Sequence, residues 1–424
     1  MSKAEIATAE GAAQAVTTAA GTGHVAGEEG VAGLLTRLRS RALVWANVAH
    51  VGLREPALRP WFLGNRLRQL SVGLQCHARH DGWSSPRRSV SLRVTLLCNA
   101  NCRMCAFANT VDPDSGRPIT SRAGFIDLDL ACRLAGELAP SHSMLNLTGG
   151  EPLVWGDKLF DLIDHCRKRG VPTTVTTNGT YLGRHLDRLL ESPPQILIVS
   201  VLGGEAVHDG IVRIPAYARM RDALLELLER KQGDRWRSPI VLTNTVMLAE
   251  NVSVFPGVVA LSRELGACGA SFQPVWFAPD SSDGGVQSEA GLHATLGSAC
   301  ATAATHVAPG RGLWESWQRA LELSVRLHQP VFIYPRLSRA DAETYYSRPD
   351  HPVLRTRALC GHLFAHVLPD GALGVCPGQT LGNLHEHSLG EIWNAGAMRE
   401  FRLRLKRAGM FSACSRCCQL WRYD

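Results

Sequence analysis

No run of about eighteen consecutive apolar residues occurs anywhere in the 424 residues of this chain, which argues against a membrane-spanning helix. Residues 1–30 contain no arginine and lack a charged start followed by an apolar core, so they do not read as a secretory or transit signal; their Ala, Gly, Thr and Glu content reads as a disordered tail. The thirteen cysteines are not spread out as an extracellular disulfide framework would be. They fall in short-spaced groups, and a reducing cytoplasm fits that usage best. No nucleic-acid reading module accompanies the net charge of +7, and the N-terminal part carries no typical peptide-recognition module.

A chain that is 45% hydrophobic and 20% charged can bury a large catalytic domain with a smaller one beside it. Its charge is uneven. Residues 31–72 hold Arg37, Arg39, Arg41, Arg54, Arg59, Arg66 and Arg68 against Glu55 alone, interleaved with Leu34, Leu35, Leu38, Trp45, Trp61, Phe62 and Leu67. This pattern predicts a basic amphipathic helical extension over 31–88, broken at Pro56 and Pro60. It suits packing on the main domain, and it also suits peripheral contact with an anionic membrane surface or an acidic substrate.

From residue 89 onward, apolar strand-like runs alternate with helical periodicity. Strands are expected at Ser91 to Leu97, Met144 to Leu147, Thr173 to Thr177, Ile196 to Val201, Ile240 to Met247 and Ala270 to Val275. Six β-α units in series predict parallel strands with right-handed crossovers, a partial (β/α)6 TIM-like barrel over 89–335. In such barrels chemistry gathers at the C-terminal ends of the strands. Cys98, Cys102 and Cys105 follow the first strand, Gly149-Gly150-Glu151-Pro152 the second and Thr177-Asn178-Gly179 the third, while Ser200 closes the fourth.

Three thiolates at this spacing suit three corners of an iron-sulfur cube and leave its fourth iron open to a small ligand. Zinc is the alternative, and with no nearby His it would lack a full tetrahedral set. After a linker at 336–358, a second cysteine group occupies 359–424. Cys360 and Cys376 flank a Pro369-Asp370-Gly371 hairpin signal, and Cys414 and Cys417 form a two-residue-spaced pair. Four ligands would close a site that passes electrons, although spacing alone also allows a structural zinc. Cys418 is a spare ligand or a buried thiol.

The motifs CNANCRMC, GGEP, TTNG and VSVLGGEAVHD resemble the radical S-adenosylmethionine superfamily. The segment CGHLFAHVLPDGALGVC with CSRCC looks like the twitch or SPASM auxiliary-cluster extension. The resemblance implies one 4Fe-4S cluster on Cys98, Cys102 and Cys105 that chelates S-adenosylmethionine, and a second on Cys360, Cys376, Cys414 and Cys417. An electron donor such as flavodoxin or ferredoxin would reduce the first cluster, and a 5'-deoxyadenosyl radical would abstract hydrogen from a substrate. It also implies that the backbone of Gly149, Gly150, Glu151 and Pro152 takes the cofactor ammonium, that Asn178 and Ser200 lie near ribose or carboxylate, that Arg213 pairs with the carboxylate, and that Asn244 and Val246 lie beside adenine. The two glycines would let backbone approach the cofactor. Met104 stands where the family has an aromatic residue, with Phe107 as a substitute. His208, Asp209, Tyr217, Gln273, Trp276 and Tyr334 are candidates for the barrel mouth, and Cys268 and Cys300 are conceivable hydrogen donors. The expected substrate is a small natural product, sugar-like in character, oxidised with the auxiliary cluster as electron acceptor; radical modification of a peptide by crosslinking or epimerisation, or of a lipid-linked substrate, is the second reading, and a non-catalytic zinc or cluster scaffold the third.

Overall fold

The computed structural model describes residues 31–54, 71–76, 78–85, 89–105, 124–275, 312–334, 337–348, 353, 357–376, 379–411, 414, 416 and 417. Phe107, Trp276, Cys300, Cys418, the tail at 1–30 and the Pro56–Pro60 break lie outside them.

A single sheet of ten strands organises the chain. In chain order they are β1 (Ser89–Thr95), β2 (Met144–Gly149), β3 (Thr173–Thr177), β4 (Ile196–Ser200), β5 (Ile240–Met247), β6 (Gly269–Pro274), β7 (Val331–Ile333), β8 (Phe364–Val367), β9 (Ala372–Gly374) and β10 (Gly382–Asn383). Their spatial order is β10-β9-β8-β1-β2-β3-β4-β5-β6-β7. All pairings from β8 through β7 are parallel, and only the β8-β9-β10 meander is antiparallel. The sheet is an α/β half-open barrel, and its C-terminal hairpin adds strands directly to β1.

The helices follow, in chain order, as α1 (Val31–Arg54), α2 (Leu128–Leu138), α3 (Asp157–Lys168), α4 (Leu186–Glu191), α5 (Glu205–Val212), α6 (Tyr217–Arg230), α7 (Phe255–Glu264), α8 (Leu313–Leu327), α9 (Arg339–Ser347), α10 (Cys360–Leu363), α11 (Leu389–Trp393) and α12 (Gly396–Ala408). None of the described helices is long and apolar enough to cross a membrane. The expected linker contains α9, which is started by a capping box between Ser338 and Asp341. The apolar periodicity over Leu389 to Leu405 is carried by two helices, because the chain leaves helical geometry at Asn394 and re-enters after Ala395.

Each barrel strand alternates between two environments. Leu92, Leu147, Val175, Val199 and Phe272 are buried in the main core beneath the helices, Phe272 edge-on to Phe255 and Trp317. The intervening residues line the lumen, where Asn146 donates through Nδ2 to Ser89 Oγ at 2.6 Å and accepts through Oδ1 from Thr174 Oγ1 at 2.9 Å. This period of two is the strand signature, and here the lumen phase is largely Ser, Thr, Asn and Gln.

Candidate functional site

The loop after β1 is held from two sides. Asn101 and Arg103 donate their backbone N–H groups to the carbonyls of Val212 and Ile211 at the end of α5 (3.2 and 3.1 Å). Gly150 and Glu151 donate theirs to Thr95 and Leu97 (both 2.8 Å). The glycines have a structural reason beside the expected one. A Cβ on Gly149 would sit 2.1 Å from the Thr95 carbonyl oxygen, and one on Gly150 would sit 2.0 Å from that of Leu97. The two glycines let the β2 loop press against the cysteine loop itself, and Gly149 adds a φ of 138° that L side chains avoid.

Glu151 is fully buried, and it ties three strand ends together. Its Oε1 accepts from Leu153 N (3.1 Å) and Thr177 Oγ1 (2.7 Å), and its Oε2 accepts from Asn178 N (2.8 Å). Burial nevertheless outweighs these donors and pushes its carboxyl up to about 7. Asn178 in turn reaches Cys98. Its Nδ2 lies 3.8 Å from the thiol sulfur and donates to Asn99 Oδ1 at 2.9 Å, while Asn99 Nδ2 donates to Thr180 Oγ1 at 2.8 Å. Asn99 and Thr180 were not read from the sequence as site residues. The only signal for them was a polar residue between two cysteines and a hydroxyl after TNG.

The three thiols share one patch of the mouth. Burial, then Cys105 and Cys98, raise the Cys102 thiol to about 12, with Arg213 opposing; burial first, and also Glu151 and Cys105, raise that of Cys98. Arg213 is therefore close enough to act on Cys102, and it stands in the left-handed conformation that ends α5 (φ 59°). Met104 packs half-buried against the core. Ser200 pairs with Asn244 across β4 and β5, and half-buried Val246 pairs with Gln273 across β5 and β6; all four face the lumen, where Asn244 Nδ2 donates diagonally to Gln273 Oε1 at 3.3 Å.

The mouth candidates separate. Asp209 accepts from the N–H groups of Ala216 and Tyr217 (2.9 and 2.8 Å) and so caps α6. His208 is buried, accepts from Leu202 N through Nδ1 at 3.3 Å, and burial lowers it to about 4. Tyr217 is largely buried beside it, whereas Tyr334 is 39% exposed. Cys268 precedes β6, at the end of the barrel opposite Cys98, where its Sγ meets the Arg235 carbonyl at 3.0 Å. That position removes it as a hydrogen donor at the mouth.

The second cysteine group comes together across the hairpin. The Cys376 thiol is raised well above its ordinary value, by burial first and then by Cys414 and Cys360; Cys417 N donates to the Cys414 carbonyl at 3.2 Å. Among the described residues no three His, Cys, Asp or Glu side chains are arranged to hold a single metal ion. Beyond burial, Cys105 raises Cys98 and Cys102 in the first set, as Cys414 and Cys360 raise Cys376 in the second, and all-thiol donor sets of this kind suit an iron-sulfur cluster. The sequence did not reveal how this group is joined to the barrel. Tyr345 on α9 has its hydroxyl 2.8 Å from the Arg416 carbonyl and 3.0 Å from that of Val275, sharing one proton between them. Tyr346 donates to the Met247 carbonyl at 2.9 Å and accepts from Val275 N at 3.0 Å. Arg416, fully buried between Cys414 and Cys417, donates back to the Tyr345 carbonyl at 2.8 Å.

Residues 92–258 match the Radical SAM superfamily, and residues 360–418 match an iron-sulfur cluster-binding domain, SPASM. The chain is similar to the PqqA peptide cyclase of Xanthomonas euvesicatoria pv. vesicatoria, 27% identical over 73% of this chain and 75% of that protein. It is also similar to a 7-carboxy-7-deazaguanine synthase of Methanothermobacter thermautotrophicus, 31% identical over 24% of this chain; that match spans only 36% of the synthase. Among solved structures, Streptococcus suis SuiB bound to precursor peptide SuiA shares the fold with a TM-score of 0.53 at 12% identity, covering 80% of this chain and 70% of SuiB.

Proposed function

From the premise that this chain belongs to the radical S-adenosylmethionine superfamily and carries a SPASM-type iron-sulfur domain after its barrel, we propose that it is a radical enzyme that modifies a peptide. The observation that carries this reading is the similarity to PqqA peptide cyclase, which runs through nearly three quarters of both chains. It moves the balance from the small natural product expected from sequence to a peptide.

Cys98, Cys102 and Cys105 hold the first 4Fe-4S cluster in this reading, and Cys360, Cys376, Cys414 and Cys417 the second. With S-adenosylmethionine bound, the first cluster supplies reductive cleavage and a 5'-deoxyadenosyl radical for hydrogen abstraction. The remaining roles belong to the chain. Gly149 and Gly150 seat the cysteine loop, Glu151 and Asn178 brace it from behind, and Arg213, beside Cys102, offers a guanidinium fork for a carboxylate. Glu151 and Pro152 shape the turn. Ser200, Asn244, Val246 and Met104 offer the lumen surfaces for ribose and adenine. The Tyr345–Tyr346 pair fixes the second cysteine group against the ends of β5 and β6, where the cluster it would hold would supply an electron acceptor.

Anaerobic reconstitution should give about eight irons per chain. Substitution of Cys98, Cys102 and Cys105 by Ala should abolish 5'-deoxyadenosine formation. Incubation with synthetic peptides copied from short reading frames beside the gene, followed by mass spectrometry, should reveal one that loses a hydrogen pair in the presence of S-adenosylmethionine and reductant. Turnover of a metabolite with every such peptide unchanged would return the assignment to a small-molecule substrate.

A further inference from the structure

The outward face of α1 has no part in the chemistry above. The helix has two faces. Its inner face carries buried Ser40, half-buried Asn47, whose Nδ2 donates to the Cys268 carbonyl at 2.9 Å, and His50, whose ring lies 4.4 Å from that of Trp236. These contacts anchor α1 along α8 and β7 and near the start of β6, at the barrel end away from the cysteine loop.

The outer face is apolar. Leu35 is 45% exposed, Leu38 50% and Trp45 53%, and Ala42, Ala46 and Ala49 are exposed between and beyond them. At about 100° per residue these six positions form one continuous stripe. Exposed Arg39 falls at one edge of the stripe and exposed Arg41 at the other. From Val31 to Arg54 the helix contains no Asp or Glu.

The spacing 35, 38, 42, 45, 49 would also suit a coiled coil with a second copy. In that packing Arg39 and Arg41 occupy the flanking positions that set pairing, and the helix has no acidic residue to answer them. The charge therefore disfavours self-association and requires an anionic partner. A lipid surface meets every feature: the leucines enter the acyl boundary, the indole lies at the interface, and the two arginines extend from the stripe edges to phosphate. We propose that α1 lies flat on an anionic bilayer and holds the enzyme at the membrane surface, with the barrel mouth left free.

Vesicle sedimentation tests this with the reconstituted full-length protein. Vesicles of phosphatidylcholine mixed with phosphatidylglycerol should carry the protein down, vesicles of phosphatidylcholine alone should not, and added salt should release it. Each arginine near such a surface contributes about fivefold in partitioning, so the double variant Arg39→Gln/Arg41→Gln should bind roughly tenfold or more weakly. The double variant Leu38→Ser/Trp45→Ser should lose sedimentation. All four side chains are exposed, so both variants should keep the circular dichroism spectrum and iron content of the parent. Equal sedimentation with both vesicle types, no sedimentation with either, or binding unchanged in both variants would overturn the proposal. A dimer by light scattering that Leu38→Ser/Trp45→Ser converts to monomer would assign the stripe to a second copy instead.

Discussion

Glu151 shows how one buried acid can serve a site without touching its ligands. The carboxylate holds the N–H of Asn178 and the hydroxyl of Thr177, and Asn178 leans on the Cys98 sulfur. Its carboxyl is raised from the ordinary 4.5 to about 7, so the folded state binds the proton more tightly than the unfolded chain does. The stabilisation this gives is complete below about 4.5 and is lost as pH rises through about 7, on the order of 3 kcal/mol over the window. Glu151→Gln should abolish that slope. The variant should also be less stable at low pH by about 1–3 kcal/mol, because its amide cannot accept from Asn178 N while its oxygen serves the other two donors. Denaturant midpoints at pH 5 and pH 8 compare the two: the wild type should lose ground to the variant on going up in pH, and a constant difference would remove the assignment of a raised carboxyl.

At the scale of elements, the site is a seam between two loops. The glycine pair of the β2 loop meets the carbonyls of Thr95 and Leu97, and the Cβ that an alanine would add at Gly150 runs into the Leu96–Leu97 backbone. Gly150→Ala therefore has to displace the segment that leads into Cys98. Iron content after reconstitution should fall by about half, with secondary structure retained and the second cysteine group still loaded; full iron incorporation would show that the seam yields without moving the ligands. Much of this arrangement was legible beforehand, since strand periodicity placed β3 and β5 at their observed bounds and put four motifs at four strand ends. The reason for the glycines was not legible. A φ of 138° and a 2 Å approach depend on which backbone lies opposite, and a local pattern contains no trace of that. The same holds for Tyr345 and Tyr346, which read as linker residues because their partners lie about seventy or more positions away along the chain.

For the whole molecule, the decisive fact is that the two cysteine groups share a sheet. The pattern of motifs suggested a catalytic barrel followed by a smaller unit, yet β8 pairs with β1 over Ser89 to Leu92, directly before the cysteine loop. Arg402 strengthens the join. Fully buried on α12, it donates to the carbonyls of Gly361 (2.6 Å) and Gly82 (3.0 Å), and its guanidinium stacks 4.5 Å from the centre of the Trp393 ring. Burial lowers it to about 9, a cost that only its fixed partners offset. Removing residues after 357 would strip Phe364, Val367 and Leu373 from the core at about 2 kcal/mol each and leave β1 as an apolar edge. The two parts should therefore unfold together. Calorimetry of the reconstituted protein should give one transition, a chain ending at residue 357 should aggregate on expression, and Arg402→Met should lower the midpoint of that single transition without splitting it. Two resolved transitions in the wild type, or a soluble truncated barrel that still loads four irons, would mean that the shared sheet does not couple the two halves.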